Sequence, residues 1–206
     1  MRVITNPTKD DLKDVLNQLK KGNLVVYPTD TIYGIASDIN NDESLKKVFE
    51  VKNRSLDKPI SICVHDFEQL EQVAQMDDLL RSIVQDLLPG PYTLLLRKQK
   101  SISSLLTSNS DIIGIRIPDN EICFELTKYF PITSTSANLS NKKTPNNIQD
   151  IISQLNDDIS VYLDVGLIEN NKPSTIIDLT NKKPKIIRNT QKDNKLLNSI
   201  LKMNLY

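Results

Sequence analysis

Short apolar runs are interspersed with amphipathic helical stretches along this chain, and this pattern constrains the fold more than any other feature. The runs are five or six residues long and rich in β-branched side chains, which predicts short buried strands. They are LVVYP (24–28), ISICV (60–64), YTLLLR (92–97) and IIGIRI (112–117).

Other stretches carry apolar residues at helical spacing. The first covers 8–21, with Thr8 as a predicted N-cap and Gly22 as a stop, and the second covers 43–52 with Asp42 as its cap. Further helices are predicted over 67–74, 77–88, 121–129, 145–155 and 192–202, and further strands over 132–135, 161–166, 174–179 and 185–188.

These elements intermingle without strict alternation, so the predicted fold class is α/β. A twisted, open, mixed sheet of parallel and antiparallel strands, flanked by helices, fits this order better than a fully parallel sheet. The 206 residues suffice for one substantial hydrophobic core, and no repeat or long linker divides them. We therefore expect a single domain over 1–206.

Composition excludes several functional classes. Lysine plus arginine (26) balances aspartate plus glutamate (26), so the basic excess typical of nucleic-acid-binding domains is missing. No export signal is visible, and no apolar run approaches the roughly 18 residues of a membrane span. Cys63 and Cys123 stand alone, which argues against a disulfide framework or a protein-bound metal site. We expect a cytoplasmic protein without membrane contact, whose cysteines are buried.

Polar turns follow several predicted strands, where open sheets collect ligands. The turn PTDTIYG (28–34) is compatible with a strand-to-helix turn capped by Thr29 and Asp30, or with a small-molecule pocket that uses the hydroxyls of Thr29 and Thr31 and the ring of Tyr33. In KNRSLDKP (52–59), three cations lie within seven residues. They either complement a helix C-terminus or clamp a polyphosphate.

A third polar segment, STSANLS (134–140), is a turn that satisfies its own backbone or a set of hydrogen-bond donors for a ligand. His65 is the only histidine and is predicted beside a strand, so a serine nucleophile with a histidine base is excluded. All five glycines are isolated, and neither a Walker pattern nor a Gly-x-Gly-x-x-Gly pattern occurs. Any nucleotide must be held by side-chain cations and a shaped pocket.

Together with PGPYTL, GIRIP, PSTIIDL and Arg188, these segments occur in an order and spacing that resemble the YrdC/Sua5 family of L-threonylcarbamoyladenylate synthases, over about residues 10 to 190. The resemblance implies a YrdC-like fold. It also implies synthesis of threonylcarbamoyl-AMP and pyrophosphate from L-threonine, bicarbonate or CO2, and ATP. That product supplies the N6-threonylcarbamoyladenosine of tRNA (t6A37).

The resemblance further implies site residues. The residues implied in catalysis are Lys52, Arg54, Ser136 and Asn138. The implied ATP contacts are Lys52, Arg54, Lys58, Ser136, Asn138, Thr144 and Arg188. The implied L-threonine contacts are Thr31, Arg116, Ser134 and Ser174. Without the resemblance, an ion pair to a surface carboxylate such as Asp119 is the favoured explanation of Arg116.

Mg²⁺ is expected as the companion of ATP, with few protein ligands. The resemblance implies a functional link to a separate tRNA threonylcarbamoyl transferase complex and is compatible with weak tRNA binding. The alternative is a non-catalytic module that binds double-stranded RNA or tRNA, whose affinity would depend on salt and not on threonine. A related alternative is the carbamoyl-adenylate domain of hydrogenase-maturation proteins, which uses carbamoyl phosphate.

Overall fold

Two mixed β-sheets carry the fold in the computed structural model, which describes residues 1–155, 158–169, 172–190 and 195–205. The strands are β1 (Arg2–Thr5), β2 (Val25–Tyr27), β3 (Gly34–Ala36), β4 (Ile62–Cys63), β5 (Tyr92–Arg97), β6 (Ile112–Arg116), β7 (Ile132–Thr133), β8 (Thr135–Ser136), β9 (Val161–Asp164), β10 (Thr175–Asp178) and β11 (Lys185–Arg188). The first sheet has the order β1-β9-β2-β3-β8, and the second has the order β11-β10-β5-β6-β4-β7. Parallel and antiparallel pairs occur in both, which confirms the predicted mixture.

Helices flank the sheets, as predicted. They are α1 (Lys9–Lys20), α2 (Asp42–Val51), α3 (Phe67–Val73), α4 (Asp78–Leu87), α5 (Ser104–Thr107), α6 (Glu121–Thr127), α7 (Ile148–Leu155) and α8 (Lys195–Ile200). No helix in the described ranges is long and apolar enough to cross a membrane.

The helix ends show which local signals were sufficient. Thr8 caps α1 through a capping box with Asp11, and Gly22 follows the helix with a φ of +78°. The predicted cap of α2 was wrong by one residue. The Asn41 side chain accepts the N–H of Ser44, and Asp42 is the first helical residue. Both residue types cap well, so the sequence alone did not distinguish them.

The prediction needs three further corrections. The prediction missed β1 and β3, because three- and four-residue strands show too little periodicity. The stretch 132–135 contains not one strand end but β7, one residue, and then β8. The C-terminal helix predicted over 192–202 is described only as α8, and residues 192–194 lie outside the described ranges.

The second sheet buries one face in the main core, and its other face mixes apolar residues such as Cys63 and Ile132 with the polar residues of the candidate site. Ile62, Leu94 and Ile115 belong to the main core together with residues of α2, α3, α4 and α7. The alternate residues of β5 and β6 point to the opposite face and include Thr93 and Arg116. Thr93 pairs in register with Ile176 of β10, and Arg116 pairs with Cys63 of β4. Because side chains alternate along a strand, burying one face in the core leaves the other available for polar groups.

The two sheets meet at Ser134. This residue separates β7, which belongs to the second sheet, from β8, which belongs to the first. The backbone N–H of Ser134 donates to Ser61 O at 2.6 Å, and Thr133 Oγ1 donates to Ile35 O at 2.8 Å. The hydroxyl-rich segment found in the sequence is therefore the joint between the sheets.

Candidate functional site

The turn between β2 and β3 is organised by one hydroxyl. Thr29 Oγ1 accepts the N–H groups of Thr31 and Ile32, both at 3.1 Å, and donates to Ile32 O at 2.6 Å. Thr29 therefore satisfies the backbone of the turn, but the turn joins two strands and not the strand and helix of the capping interpretation. The same turn presents Asp30 and Thr31 to the end of β6, so it also contributes side chains to a polar cluster.

That cluster, called here the Arg116 cluster, consists of Asp30, Thr31 and Arg116. Arg116 Nη2 donates to Asp30 Oδ1 at 2.6 Å and to Thr31 Oγ1 at 3.0 Å. The side chains of Arg116 and Asp30 are only 6% and 10% exposed. The expected alternative partner, Asp119, contributes no ion pair to Arg116 within the described ranges. Its backbone N–H instead donates to Asp30 Oδ2 at 3.4 Å.

The guanidinium of Arg116 has an N–H donor without a partner in the described part of the chain. Its Nε is buried and has no hydrogen-bond partner among the described residues. A buried N–H without a partner is unfavourable by about 1–3 kcal/mol, so such groups commonly meet a water or a ligand. Burial raises the pKa of Asp30, and the charge of Arg116 opposes that rise.

Two sequence-predicted residues, Ser174 and Arg188, meet beside this cluster. Arg188 Nε donates to Ser174 O at 2.9 Å, and its Nη2 donates to Ser174 Oγ at 3.3 Å. Ser174 Oγ also lies 2.7 Å from Thr93 Oγ1. Burial, followed by the positive charge of Arg116, lowers the pKa of Arg188. Two arginines are therefore close enough to repel, an arrangement that an anion would relieve.

A second cluster, the Lys52 cluster, consists of Lys52, Ser136 and Asn138. Lys52 follows α2 and is 1% exposed. Its Nζ donates to Ser136 O, to Asn138 O at 2.7 Å and to Asn138 Oδ1 at 3.3 Å. No carboxylate of the described residues lies within ion-pair distance of Lys52. Burial, with the nearby charge of Arg54, lowers the pKa of Lys52 to about 7.

The polar atoms of Asn138 are all engaged within the loop. Its Oδ1 also accepts from Ser136 Oγ at 2.5 Å, and its Nδ2 donates to Leu139 O at 2.8 Å and Lys142 O at 2.7 Å. With 6% of its surface exposed, Asn138 shapes the loop. The sequence signal pointed to this residue but did not reveal that its amide organises backbone rather than projecting outward.

The loop after α2 contacts the 136–141 loop through one backbone hydrogen bond and through the side chain of Lys58. Ser140 N–H donates to Lys52 O at 2.8 Å, and Lys58 Nζ lies 3.5 Å from Asn141 Oδ1. Half-buried Arg54 donates from Nε to Lys58 O at 3.1 Å and from Nη2 to Pro59 O at 2.8 Å. Burial lowers the pKa of Arg54. The structure thus brings the predicted cationic segment and the predicted hydroxyl segment together.

Ser134 and both cysteines lie next to the elements that carry the Arg116 cluster. Cys63 pairs in register with Arg116, and Tyr27 Oη donates to Cys63 Sγ at 3.4 Å. The Ser134 hydroxyl lies within hydrogen-bonding reach of Cys63 and Tyr27. Cys63 and Cys123 are free and buried, as predicted, and burial raises the pKa of both thiols. Both sulfurs therefore stay protonated at neutral pH.

Gly114 lets the side chains of Ser61 and Thr93 pack closely over the backbone of β6. A Cβ at this position would lie 2.5 Å from Ser61 Oγ and 3.2 Å from Thr93 Cγ2. Such contacts are too short for any larger residue without displacement of its neighbours. The glycine of the sequence segment GIRIP is therefore required by close packing between strands, next to Arg116.

Other predicted features lie apart from these clusters. Thr144 lines a cavity with residues of the α7 segment, such as Pro145 and Gln154. A cavity of about 570 Å³ is lined by residues 117–119 together with His65 and Phe124. His65 stacks on Phe124 at 3.9 Å between ring centroids, which fits the structural role predicted for it. In the described parts of the chain, no group of three metal-ligating side chains occurs.

Sequence reasoning overlooked Asp30 and Thr93 as site residues. Asp30 was considered only as a capping residue, although it stands in the most distinctive segment of the sequence. Its pairing with Arg116 crosses 86 positions of the chain, and a single sequence contains no signal for such a contact. Thr93 carried one weak signal, since it is a hydroxyl residue within the otherwise apolar run YTLLLR.

Comparison with known proteins places these clusters in context. The sequence matches the Sua5/YciO/YrdC family, described as "Telomere recombination", over residues 17–190. A protein of Methanocaldococcus jannaschii is 39% identical over 179 residues, which are 85% of each chain. The threonylcarbamoyl-AMP synthase of Vibrio vulnificus is 31% identical over 175 residues, covering 82% of this chain and 93% of the relative.

Solved structures agree with the fold. The structure of P. abyssi Sua5 with L-threonine has a TM-score of 0.86 at 29% identity, and the match covers 91% of this chain and 56% of that longer one. E. coli YciO has a TM-score of 0.85 at 24% identity, covering 95% of this chain and 97% of the other. These similarities confirm the predicted YrdC-like fold.

Proposed function

Because the chain belongs to the Sua5/YciO/YrdC family, we propose that it is a threonylcarbamoyl-AMP synthase, an enzyme that makes threonylcarbamoyl-AMP and pyrophosphate from L-threonine, bicarbonate or CO2, and ATP. The observation that supports this most strongly is the pair of buried cationic clusters on either side of the Ser134 joint. One holds a lysine without a carboxylate partner, and the other holds an arginine with an unused donor.

The reaction requires two bond-forming steps. The amine of threonine loses a proton and attacks the carbon of CO2, or of bicarbonate with loss of water, to give a carbamate. A carbamate oxygen then attacks the α-phosphorus of ATP, and the bond to the leaving pyrophosphate breaks. Neither step needs a protein nucleophile, so positioning and charge neutralisation supply most of the catalysis.

We assign the triphosphate to the side of the Lys52 cluster. The ATP contacts proposed there are Lys52, Arg54, Lys58, Ser136 and Asn138. Two further ATP contacts are proposed outside that cluster, Arg188 beside Ser174 and Thr144 in the cavity with Pro145 and Gln154. The geometry divides their roles. Lys52 and Asn138 hold the loop in shape and add a buried positive charge, whereas Lys58 is exposed at the rim and free to move toward a phosphate. Arg54 keeps its loop folded through two backbone carbonyls.

We assign L-threonine to the side of the Arg116 cluster. The proposed contacts are Thr31, Arg116, Ser134 and Ser174. A guanidinium that is almost fully buried and lacks one partner suits a carboxylate, because the low dielectric strengthens the interaction. The hydroxyl of Ser174, already shared between Thr93 and Arg188, can turn to hydrogen-bond the threonine hydroxyl or amine.

We propose that Mg²⁺ enters with ATP. The ion needs near-octahedral oxygen ligands and usually keeps several waters while it binds substrate phosphates. The described residues hold no cluster of three metal-ligating side chains, and a substrate-borne ion needs none. Its chemistry would be to neutralise phosphate charge, and Lys52, Arg54 and Lys58 would share that task.

We propose that a separate tRNA threonylcarbamoyl transferase complex transfers the threonylcarbamoyl group to tRNA, and that this chain acts in the cytoplasm as a single domain. Any tRNA contact by this chain would be weak, since its charges balance.

Pyrophosphate release tests the proposed function. The purified protein should release pyrophosphate from ATP and Mg²⁺ only when both L-threonine and bicarbonate are present. L-Valine and L-serine serve as controls, because one lacks the hydroxyl and the other lacks the methyl group. Release no greater than in a reaction without threonine would refute the assignment.

A further inference from the structure

Asp30 lies where a second charged group of the substrate would be recognised. Its side chain is 10% exposed, and Oδ1 lies 2.6 Å from Arg116 Nη2. Its other oxygen, Oδ2, accepts the long 3.4 Å contact from the Asp119 backbone N–H, and the carboxylate also interacts with the backbone N–H of Asp30 itself. A carboxylate offers about four lone-pair positions, so the Asp30 side chain keeps capacity to accept a further hydrogen bond.

The charges of the pair are complementary to those of a free amino acid. An α-amino acid carries an ammonium and a carboxylate on one carbon, so its two charges are always adjacent. Asp30 and Arg116 present the opposite charges, also adjacent, at 2.6 Å. A neutral ion pair that binds a neutral zwitterion forms an alternating set of four charges, with no net charge buried.

We propose that Asp30 binds the α-ammonium of the amino-acid substrate while Arg116 binds its carboxylate. This inference rests on the proposed function and adds to it a residue that specifies an amine. The Asp30–Thr31 turn is held by Thr29, so the carboxylate is positioned before the ligand arrives. Thr31 Oγ1 accepts a hydrogen bond from Arg116 Nη2 at 3.0 Å and so helps to fix the orientation of the guanidinium.

The consequence is selectivity against substrates that lack the amine. A 2-hydroxy acid of the same shape would leave Asp30 without its ammonium partner, and a buried group left without its partner discriminates strongly. A purely structural role predicts otherwise. If Asp30 only orients Arg116, then its loss would weaken every ligand that carries a carboxylate, with or without an amine.

Binding experiments separate these roles and do not require turnover. Calorimetry would compare L-threonine with 2,3-dihydroxybutanoate, which lacks the amine, and with L-threoninol, which lacks the carboxylate. In the unmodified protein, L-threonine should bind at least tenfold more tightly than 2,3-dihydroxybutanoate. Equal affinities would overturn the proposal whatever the variants do.

The Asp30→Asn variant then identifies the group responsible. It should weaken L-threonine and L-threoninol at least tenfold and change 2,3-dihydroxybutanoate less than threefold. Equal weakening of the two carboxylate ligands, L-threonine and 2,3-dihydroxybutanoate, with L-threoninol unchanged, would show that Asp30 only orients Arg116. The matched control is Asp119→Asn, which keeps the backbone N–H that contacts Asp30 and should bind all three ligands normally.

The double variant Asp30→Asn/Arg116→Met covers the case in which the single variant is unstable, because it leaves no buried charge unpaired. It should discriminate between L-threonine and 2,3-dihydroxybutanoate less than threefold, and retained tenfold discrimination would overturn the proposal. Failure of the proposed function looks different. In that case L-threonine and its analogues obey these affinity ratios, yet no pyrophosphate is released from ATP.

Discussion

Lys52 and Arg116 are both nearly inaccessible to solvent, yet their surroundings differ. The ammonium of Lys52 is held by neutral oxygens of the 136–138 loop, and its pKa falls to about 7. Arg116 is held by a carboxylate, and the cost of burying its charge is largely offset by Asp30. Near neutral pH the Lys52 cluster therefore holds a partly protonated amine without a counter-charge from the described residues, and the Arg116 cluster holds a neutral pair.

This difference assigns a ligand to each cluster. A polyphosphate is favoured where positive charge lacks a counter-charge, as in the Lys52 cluster. A zwitterionic amino acid is favoured where opposite charges are already paired, as in the Arg116 cluster. Substitutions in one cluster should therefore change the kinetics of one substrate and leave the other nearly unchanged.

The largest effect is expected for Lys52→Met. It removes the donor of three hydrogen bonds and the buried charge of the loop, so pyrophosphate release should fall at least 100-fold. Lys47→Met is a matched control, since Lys47 lies on α2 and also donates to a backbone carbonyl, that of Gly22 at 3.0 Å. An active Lys52→Met variant would show that the uncompensated charge is not needed.

A smaller effect is expected for Arg54→Ala. Loss of a charged group near phosphate should lower kcat/KM for ATP about 10- to 100-fold, which corresponds to about 1.5–3 kcal/mol. The melting temperature should change little, because Arg54 is half-buried and its described bonds reach only neighbouring carbonyls. A large fall in melting temperature would identify a structural role. Arg97→Ala, at the exposed end of β5, is the control.

Arg116→Lys should act on threonine alone. A point charge replaces the fork, so the KM for threonine should rise about tenfold while the KM for ATP stays within twofold. The control is Arg81→Lys, which alters an exposed arginine paired with Glu71 and Asp78. An unchanged KM for threonine would require withdrawal of the carboxylate assignment.

A separate effect concerns stability at alkaline pH and not activity. Lys52 has a pKa of about 7 when folded and 10.5 as its ordinary value. Between these values the unfolded chain holds a proton that the folded chain has lost, so the free energy of unfolding should rise with pH. Denaturant titrations should show this rise, at most about 1.4 kcal/mol per pH unit, relative to Lys52→Met. Parallel curves would contradict the assigned pKa.

The sequence predicted features that depend on local chemistry. The Thr8 capping box and the stop at Gly22 involve residues a few positions apart, and both are found in the structure. The cationic and hydroxyl segments were also recognised, because their composition is unusual. The strand β3 was missed, since it is three residues long and continues a segment already interpreted as a turn.

The site needed contacts that no local signal contains. Lys52 reaches Asn138 across 86 positions, and Asp30 reaches Arg116 across the same separation. The strand order of the two sheets determines that Arg116 lies beside a carboxylate and that Lys52, among the residues the structure describes, does not. For the same reason the sequence suggested Asp119 for Arg116, whereas the turn after β2 supplies Asp30.

Isotope labelling tests the central claim most directly. The protein would be incubated with ATP, Mg²⁺, L-threonine and ¹³C-bicarbonate, and the nucleotide product would be analysed by mass spectrometry. The account predicts threonylcarbamoyl-AMP that carries the label, formed in step with pyrophosphate. Pyrophosphate released with an unlabelled threonine adduct of AMP, or no threonine-dependent product at all, would contradict it.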